Sequence, residues 1–453
     1  METQSLKSDM RFEIVETMGM PTDSMIAFAA RVSHGGSSAV RTDYNLVKAL
    51  RDSDHFSPFS HINFSLFINC RSEWERNSPV LVAVKKYLLG GLHTKYGGHE
   101  LYESPFSLMR NVGGGHVGLM RLSLIHLLKL LEHTSFGSMY TTSGGGIVPH
   151  GYCDFPQTAP HEACDIHDER FAVWYIPRLI ARKILDGSDV GYAFIDKNSA
   201  IREELNGYVK ELDSSTFGYD ESMSIRLNTC NKTFLGGHHS SKSEKMVIWA
   251  SDVKTPNVLM PTDYNTLGFI QTSALDQMQT VTFKVDNMPL YIANQFLRHR
   301  RGVCVSQMSG RYSSFGTFVG DDEGVGLLKT WLDLDTWRVA ARKADARAAP
   351  LVDWSEENAA VARQGVIDGM NHVLMNAILL ESRCGVAKEC VREVLPLGAH
   401  TKMVITMTME AVKRVVGLRG DDMAQKEWGT FVEFLTGVLI KHDEMYYGSE
   451  GSE

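Results

Sequence analysis

Apolar and polar residues alternate in two widely separated stretches of the chain, and both read as strands. In "HINFSLFINC" (61–70), Ile62, Phe64, Leu66 and Ile68 alternate with mostly polar neighbours. In "QTVTFKVDN" (279–287), Val281, Phe283 and Val285 do the same. After each comes a proline-opened segment with helical spacing, "SPVLVAVKKYLLGG" (78–91) and "MPLYIANQFLRHR" (288–300). The tetrapeptide TDYN precedes both strands, beginning at Thr42 and at Thr262. "AARVS" (29–33) likewise lies opposite "ASDVK" (250–254). The order predicts two related halves, 1–235 and 236–453; the competing reading is one domain interrupted by a long insertion between Cys70 and Thr280. The halves differ where chemistry is concerned. Arg298, His299 and Arg300 of the second stand where the first has Leu88, Leu89 and Gly90.

Length and composition narrow the class. A chain of 453 residues exceeds one ordinary core, and 43% hydrophobic with 22% charged residues is a globular balance. No apolar run is long enough for a membrane span, and "METQSLKSDMRFEIVE" has no signal-peptide core. Seven cysteines without framework spacing suit a reducing cytoplasm. A net charge of −8 argues against a nucleic-acid polymer as partner, so clustered positive charge needs a local reason.

The densest cluster is "RHRRGVCVSQMSGRYSS" (298–314). At helical spacing Leu290, Ile292, Ala293, Phe296 and Leu297 share one face, and Gln295, Arg298 and His299 share the other. The helix is expected to end near Arg300, with Gly302 as its stop. Gln307, Ser309, the Gly310 amide and Arg311 follow within five residues. A hydroxyl, an unhindered amide and a guanidinium fork suit a phosphate monoester or pyrophosphate. The spacing fits neither a Walker loop nor a dinucleotide fingerprint.

Arg-His-Arg, eight residues, then Ser309-Gly310-Arg311-Tyr312 resembles the signature of the flavin-dependent thymidylate synthases. "AARVS", "HFSPFSHINFSLFI" (55–68) and "VREVLPLGAHTKMVITMTMEAVKRVVGLRGDDMAQKEW" (391–428) resemble further motifs of that family, in its order. The resemblance covers roughly 1–100 and 270–440. It implies an α/β (α+β) fold of two such halves, and methylation of dUMP to dTMP with FAD, NADPH and methylenetetrahydrofolate. By the same resemblance, Gln295, Gln307, Ser309, Gly310, Arg311 and Arg392 would hold dUMP. Arg419 would face the pyrimidine, and Arg419 and Ser309 are the expected catalytic groups. Arg298, His299, Arg300, Ser33, His55 and Ser57 would contact FAD. No metal is expected. Family sites are shared between subunits, which implies a homodimer acting as a pseudo-tetramer.

Several positions depart from the family pattern. Gln307 stands for a glutamate, Thr408 and Glu410 for an asparagine-arginine pattern, and Ser60 for another glutamate. Gln307 keeps two hydrogen-bonding ends without the charge, while Glu410 beside a pyrophosphate would repel it. Gln307 and the unmatched stretch 100–235 motivate one rival, a pyrimidine-nucleotide hydroxymethylase or another modifier on the same fold, and Thr408, Glu410 and Ser60 another, a flavin- or nucleotide-binding pseudoenzyme. Elsewhere, His150, Cys153, His161, Cys164 and His167 fall within 18 residues, a loop composition more than a zinc spacing. "NVGGGHVG" (111–118) and "TSGGGIV" (142–148) read as flexible loops. Gly385 in "ESRCGVAKEC" (381–390) separates two helices, and "GSEGSE" (448–453) reads as a polar tail.

Overall fold

The computed structural model describes residues 10–15, 20–34, 41–70, 106–112, 115–135, 139–141, 147–149, 180–182, 184–185, 198–213, 223–229, 276–277, 280–311, 313, 356–394, 397, 400–420 and 426–447. The chain opens with β1 (Arg11–Ile14), α1 (Thr22–Ser33), α2 (Asp43–Asp52), a first 3-10 turn (Ser57–His61) and β2 (Asn63–Cys70). The middle supplies β3 (Phe106–Val112), β4 (Gly115–Ser123), α3 (Leu124–Ser135), β5 (Met139–Thr141), β6 (Ile147–Pro149), α4 (Ala200–Asp213) and β7 (Met223–Thr229). Then come β8 (Thr280–Pro289), α5 (Leu290–Phe296), β9 (Val303–Gln307), α6 (Glu356–Ser382), α7 (Lys388–Val391) and a second 3-10 turn (Arg392–Val394). Last are β10 (His400–Thr408), α8 (Met409–Arg419) and α9 (Lys426–Tyr447).

The expected mixture of helix and sheet is present, in its α+β form: the strand pairs among the described residues are antiparallel. Both strands read from alternation exist, as β2 and β8, and they lie in different four-stranded sheets, β3-β4-β2-β7 and β1-β8-β10-β9. The N-terminal strand pairs with β8, from Arg11 opposite Asp286 to Ile14 opposite Phe283. The second sheet thus takes an edge strand from beyond the expected boundary at 235. The copies "ASDVK" and TDYN near 250–265 and the helix expected at 78–91 lie outside the described residues.

The pleat of the β1-β8-β10-β9 sheet explains its two faces. Val281, Phe283, Val285, Met403, Ile405 and Met407 point to one side, where α8 and α9 close a core with Trp428, Phe431 and Leu435. Thr282, Thr406 and Ser306 point to the other, a face an isolated sheet would leave to water. Here α1 and the first 3-10 turn cover it. Their remaining apolar surface joins α2, α3 and α4 in a second core, into which Val404 also packs.

Two loop readings are corrected. Asn111–Val112 and Gly115–Gly118 belong to β3 and β4, which pair as a hairpin with Val112 opposite Gly115. Ile147 and Val148 likewise pair with Thr141 and Tyr140. A glycine run flanked by alternating residues is a turn signal as much as a flexibility signal. By contrast, α6 does end before Gly385, whose φ is +66°, and α7 starts at Lys388. The His/Cys-rich stretch 150–167 and the tail 448–453 lie outside the described residues. Among the described residues no helix is long and apolar enough to cross a membrane.

Candidate active site

Pro289 starts α5, and Ile292, Ala293 and Phe296 are its buried face. The helix stops at Phe296, four residues before the expected end. The amides of Arg298 and His299 turn back to the carbonyls of Gln295 and Phe296, at 3.3 and 2.8 Å, three residues earlier. This tightening takes the cationic triplet off the helix into a turn, and it leaves Leu297 exposed rather than in the apolar face. Gly302 then redirects the chain into β9 with φ +71°, and its carbonyl accepts from the Thr408 amide at 2.8 Å.

Opposite that turn lies Trp428, buried in the first turn of α9. Its indole Nε1 donates to Gln295 Oε1 at 3.0 Å. His299 meets its ring edge-on at 6.2 Å between centroids. The Arg419 guanidinium, at the end of α8, lies 4.8 Å from the ring centroid. Three residues singled out by sequence, Gln295, His299 and Arg419, therefore gather around an indole that was not singled out. The signal for it was the apolar stripe Trp428, Phe431, Leu435, Val438, which reads as core. Burial, with the cationic Arg419 and Arg414 nearby, lowers the His299 pKa, so its imidazole is neutral at pH 7. His299 Nε2 is buried with no hydrogen-bond partner among the described residues. Arg298 and Arg300 on either side are exposed.

Ser309 joins the N-terminal part directly: its amide donates to the Ser33 carbonyl at 2.8 Å. Ser33 ends α1, and its hydroxyl donates to Ala30 O at 2.8 Å, which leaves the oxygen lone pairs as acceptors. Ser309 Oγ accepts from the Arg311 amide at 3.2 Å, and its carbonyl from the Ser313 amide at 3.0 Å. This small turn holds Gly310 half-buried and presents the Arg311 side chain to solvent. Gln307, at the end of β9, points its amide toward Thr401 Oγ1 at 3.4 Å. Arg392 is exposed on the second 3-10 turn, which packs on α6. His55 is exposed and Ser57 half-buried at the start of the first 3-10 turn.

The substituted positions have local roles. Thr408 caps α8, its hydroxyl accepting from the Ala411 amide at 3.1 Å. Glu410 pairs with Arg414 one turn on at 3.2 Å, so the expected repulsion is partly neutralised within the helix. Arg414 also donates to the Arg301 carbonyl, tying α8 to the cationic turn. Ser60 is buried and donates to the Ser57 carbonyl at 2.6 Å.

One buried bridge was not found from sequence. His61 Nδ1 lies 2.9 Å from Thr406 Oγ1 and Nε2 lies 3.0 Å from Ser306 Oγ, and Thr406 continues to Thr282 Oγ1 at 2.8 Å. Burial lowers the His61 pKa to about 3, so a neutral imidazole spans two hydroxyls. The bridge fixes the first 3-10 turn to β9, the strand that leads to Ser309.

Together these elements make an α+β protein that gathers arginines, a neutral histidine and an indole where α5, α8 and α9 meet, a set able to take an anionic ligand with a flat ring. Residues 267–437 match the family described as thymidylate synthase complementing protein, so the resemblance to flavin-dependent thymidylate synthases holds for this part of the chain. The match includes the Arg-His-Arg turn, Ser309–Arg311, Arg392 and Arg419; the motifs at 29–33 and 55–68 precede it. No curated protein matches the chain. Among solved structures, it is similar to the flavin-dependent thymidylate synthase ThyX of Helicobacter pylori complexed with FAD and dUMP, at 14% identity over 46% of this chain and 92% of that one, with a TM-score of 0.28. A UMP/dUMP methylase, PolB of Streptomyces cacaoi bound with 5-Br dUMP, is 19% identical over 44% of this chain and 86% of that one, also at a TM-score of 0.28. Such scores are too low to bear on the fold or the site.

Proposed function

We propose that this protein is a flavin-dependent thymidylate synthase that converts dUMP to dTMP with FAD, NADPH and methylenetetrahydrofolate. The carrying observation is the convergence of Gln295, His299 and Arg419 on Trp428 within the family-matched segment. In this reading Ser309, Gly310, Arg311, Gln307, Gln295 and Arg392 hold dUMP. Arg311 and Arg392 pair with its phosphate through guanidinium forks. Arg419 stabilises negative charge developing on the pyrimidine, as an electrostatic catalyst, and Ser309 fixes the substrate beside it.

FAD fits the remaining residues. His299 Nε2, buried with no hydrogen-bond partner among the described residues, would offer a neutral imidazole nitrogen to the cofactor, and Arg298 and Arg300 supply exposed cations for a pyrophosphate. Ser33, His55 and Ser57 complete the set from the N-terminal part. Bound FAD would supply the redox chemistry and one-carbon transfer; the protein's own residues bind, orient and polarise.

The Ser309–Ser33 hydrogen bond supports a site assembled within one chain, from the N-terminal elements and the family-matched segment. We read the chain as two family-like halves, 1–235 and 236–453, that share this one site. It would work as a homodimer, whose interface the exposed Val361, Val366, Val373 and Leu380 of α6 would help to form. A reducing cytoplasm fits Cys304, Cys384 and Cys390, which form no disulfide among the described residues.

The test is incubation of purified protein with FAD, dUMP, methylenetetrahydrofolate and NADPH, followed by product analysis, with Arg311→Ala as control. dTMP should form, and the variant should lose it through weaker dUMP binding while its melting temperature stays close to wild type. A protein that takes up no FAD and makes no dTMP contradicts the reading. Hydroxymethylated product would favour the hydroxymethylase alternative, which Gln307 motivates.

A further inference from the structure

We infer that Lys129, on α3 and outside every family-like motif, is a positioning residue for the loop that carries His55 and Ser57. The inference rests on the proposed function, in which those two residues contact FAD. The loop is short and bent. Asp54 adopts φ +58°, Ser53 Oγ lies 3.0 Å from His55 Nδ1, and the Phe56 amide turns back to the Asp54 carbonyl at 3.1 Å. Between exposed His55 and half-buried Ser57, only the Phe56 ring is driven inward.

Two cations meet that ring. The Lys129 ammonium is 4.3 Å from its centroid and the Arg51 guanidinium 5.2 Å. Lys129 is also 3.8 Å from Asp54 Oδ1, and only 17% of its side chain is exposed. An ammonium so far withdrawn from water is stabilised by the face of an aromatic ring and a nearby carboxylate. The contact fixes the middle of the loop, so the outward directions of His55 and Ser57 follow from it.

The helix bearing Lys129 is itself fixed. The Leu124 amide donates to the Ile62 carbonyl at 2.8 Å, joining the start of α3 to the end of the first 3-10 turn. That turn therefore lies between α3 and β9. On the other flank α4 holds Arg51 through Glu204 at 3.1 Å and through the Tyr208 hydroxyl. The middle of the chain thus supplies the scaffold on which the proposed flavin-contact loop is set.

The experiment uses the full chain with Lys129→Met, which keeps the apolar stem and removes the charge, and Lys129→Arg. Lys129→Met should speed amide exchange across 53–57 while β8 and β10 keep wild-type protection. It should weaken FAD binding about fivefold, the loss of one partly buried cation–π contact, and leave dUMP binding unchanged; Lys129→Arg should restore both readouts. Wild-type exchange across 53–57 in Lys129→Met, equal loss of FAD and dUMP affinity, or failure of arginine to rescue would overturn the inference. Wild-type protein that binds no FAD would instead overturn the proposed function, and loop exchange would still decide whether Lys129 positions 53–57.

Discussion

Trp428 shows how one side chain can organise several others. Its indole occupies Gln295 with a hydrogen bond and supports Arg419 with its ring face, so both groups are held before any ligand arrives. Removing Arg419 should therefore separate chemistry from folding. Arg419→Ala is expected to lower dTMP formation at least about 100-fold, the usual cost of one preorganised charge donor. Its stability loss should stay near 1 kcal/mol, the worth of the cation–π contact; initial rates and urea midpoints measure the two. Trp428→Phe keeps a ring but removes the indole hydrogen bond to Gln295, and should cost about 1 kcal/mol and weaken dUMP binding. His299 stood out in a cationic cluster that the net charge left unexplained, Gln295 shared its helical face, and Arg419 was reached through the family resemblance. Trp428 was hidden because an aromatic residue in an apolar stripe carries no mark distinguishing a site wall from a core filler. His61 was hidden similarly: its partners Ser306 and Thr406 lie 245 and 345 residues away, and ordinary hydroxyls give no sign of what they will meet.

At the scale of elements, the junction between the cationic turn and α8 leaves no room for a side chain at Gly302. Gly302 has a left-handed φ of +71°, and a Cβ there would lie 2.4 Å from Thr408 Oγ1, the atom that caps α8. Gly302→Ala should thus strain the backbone and push the cap apart together, costing about 2–4 kcal/mol; a denaturant titration reads the loss. Gly302 was legible as a stop signal, but its reach to Thr408, 106 residues on, was not. The early end of α5 was equally hidden, because side-chain periodicity cannot register a change from α to 3-10 hydrogen bonding over the last turn. Strands β2 and β8 were legible because alternation is a local signal. Their placement in different sheets depends on pairings made far away along the chain.

For the molecule as a whole, buried histidines set the response to acid. His61 and His400 titrate near 6.5 in an unfolded chain, and burial brings each to about 3 in the folded one. Between these values the unfolded chain binds more protons, so stability rises with pH across this window and is lost as pH falls through it. The slope should reach about 1.4 kcal/mol per pH unit for each histidine. Melting temperatures recorded from pH 7 to 4 should fall accordingly, and His61→Gln should flatten the curve.

The strand Arg11–Ile14 finds its neighbour only at Phe283–Asp286. During synthesis it must wait while some 270 residues emerge, the whole of the other sheet among them, before its backbone amides can pair. Long-range closure of this kind is slow and leaves an edge open to wrong partners. Helices built from the middle of the chain already embrace α1 and α2, and would keep this early segment close at hand until β8 leaves the ribosome. The order of translation would thus make the least familiar stretch of sequence the first custodian of the chain's opening segment.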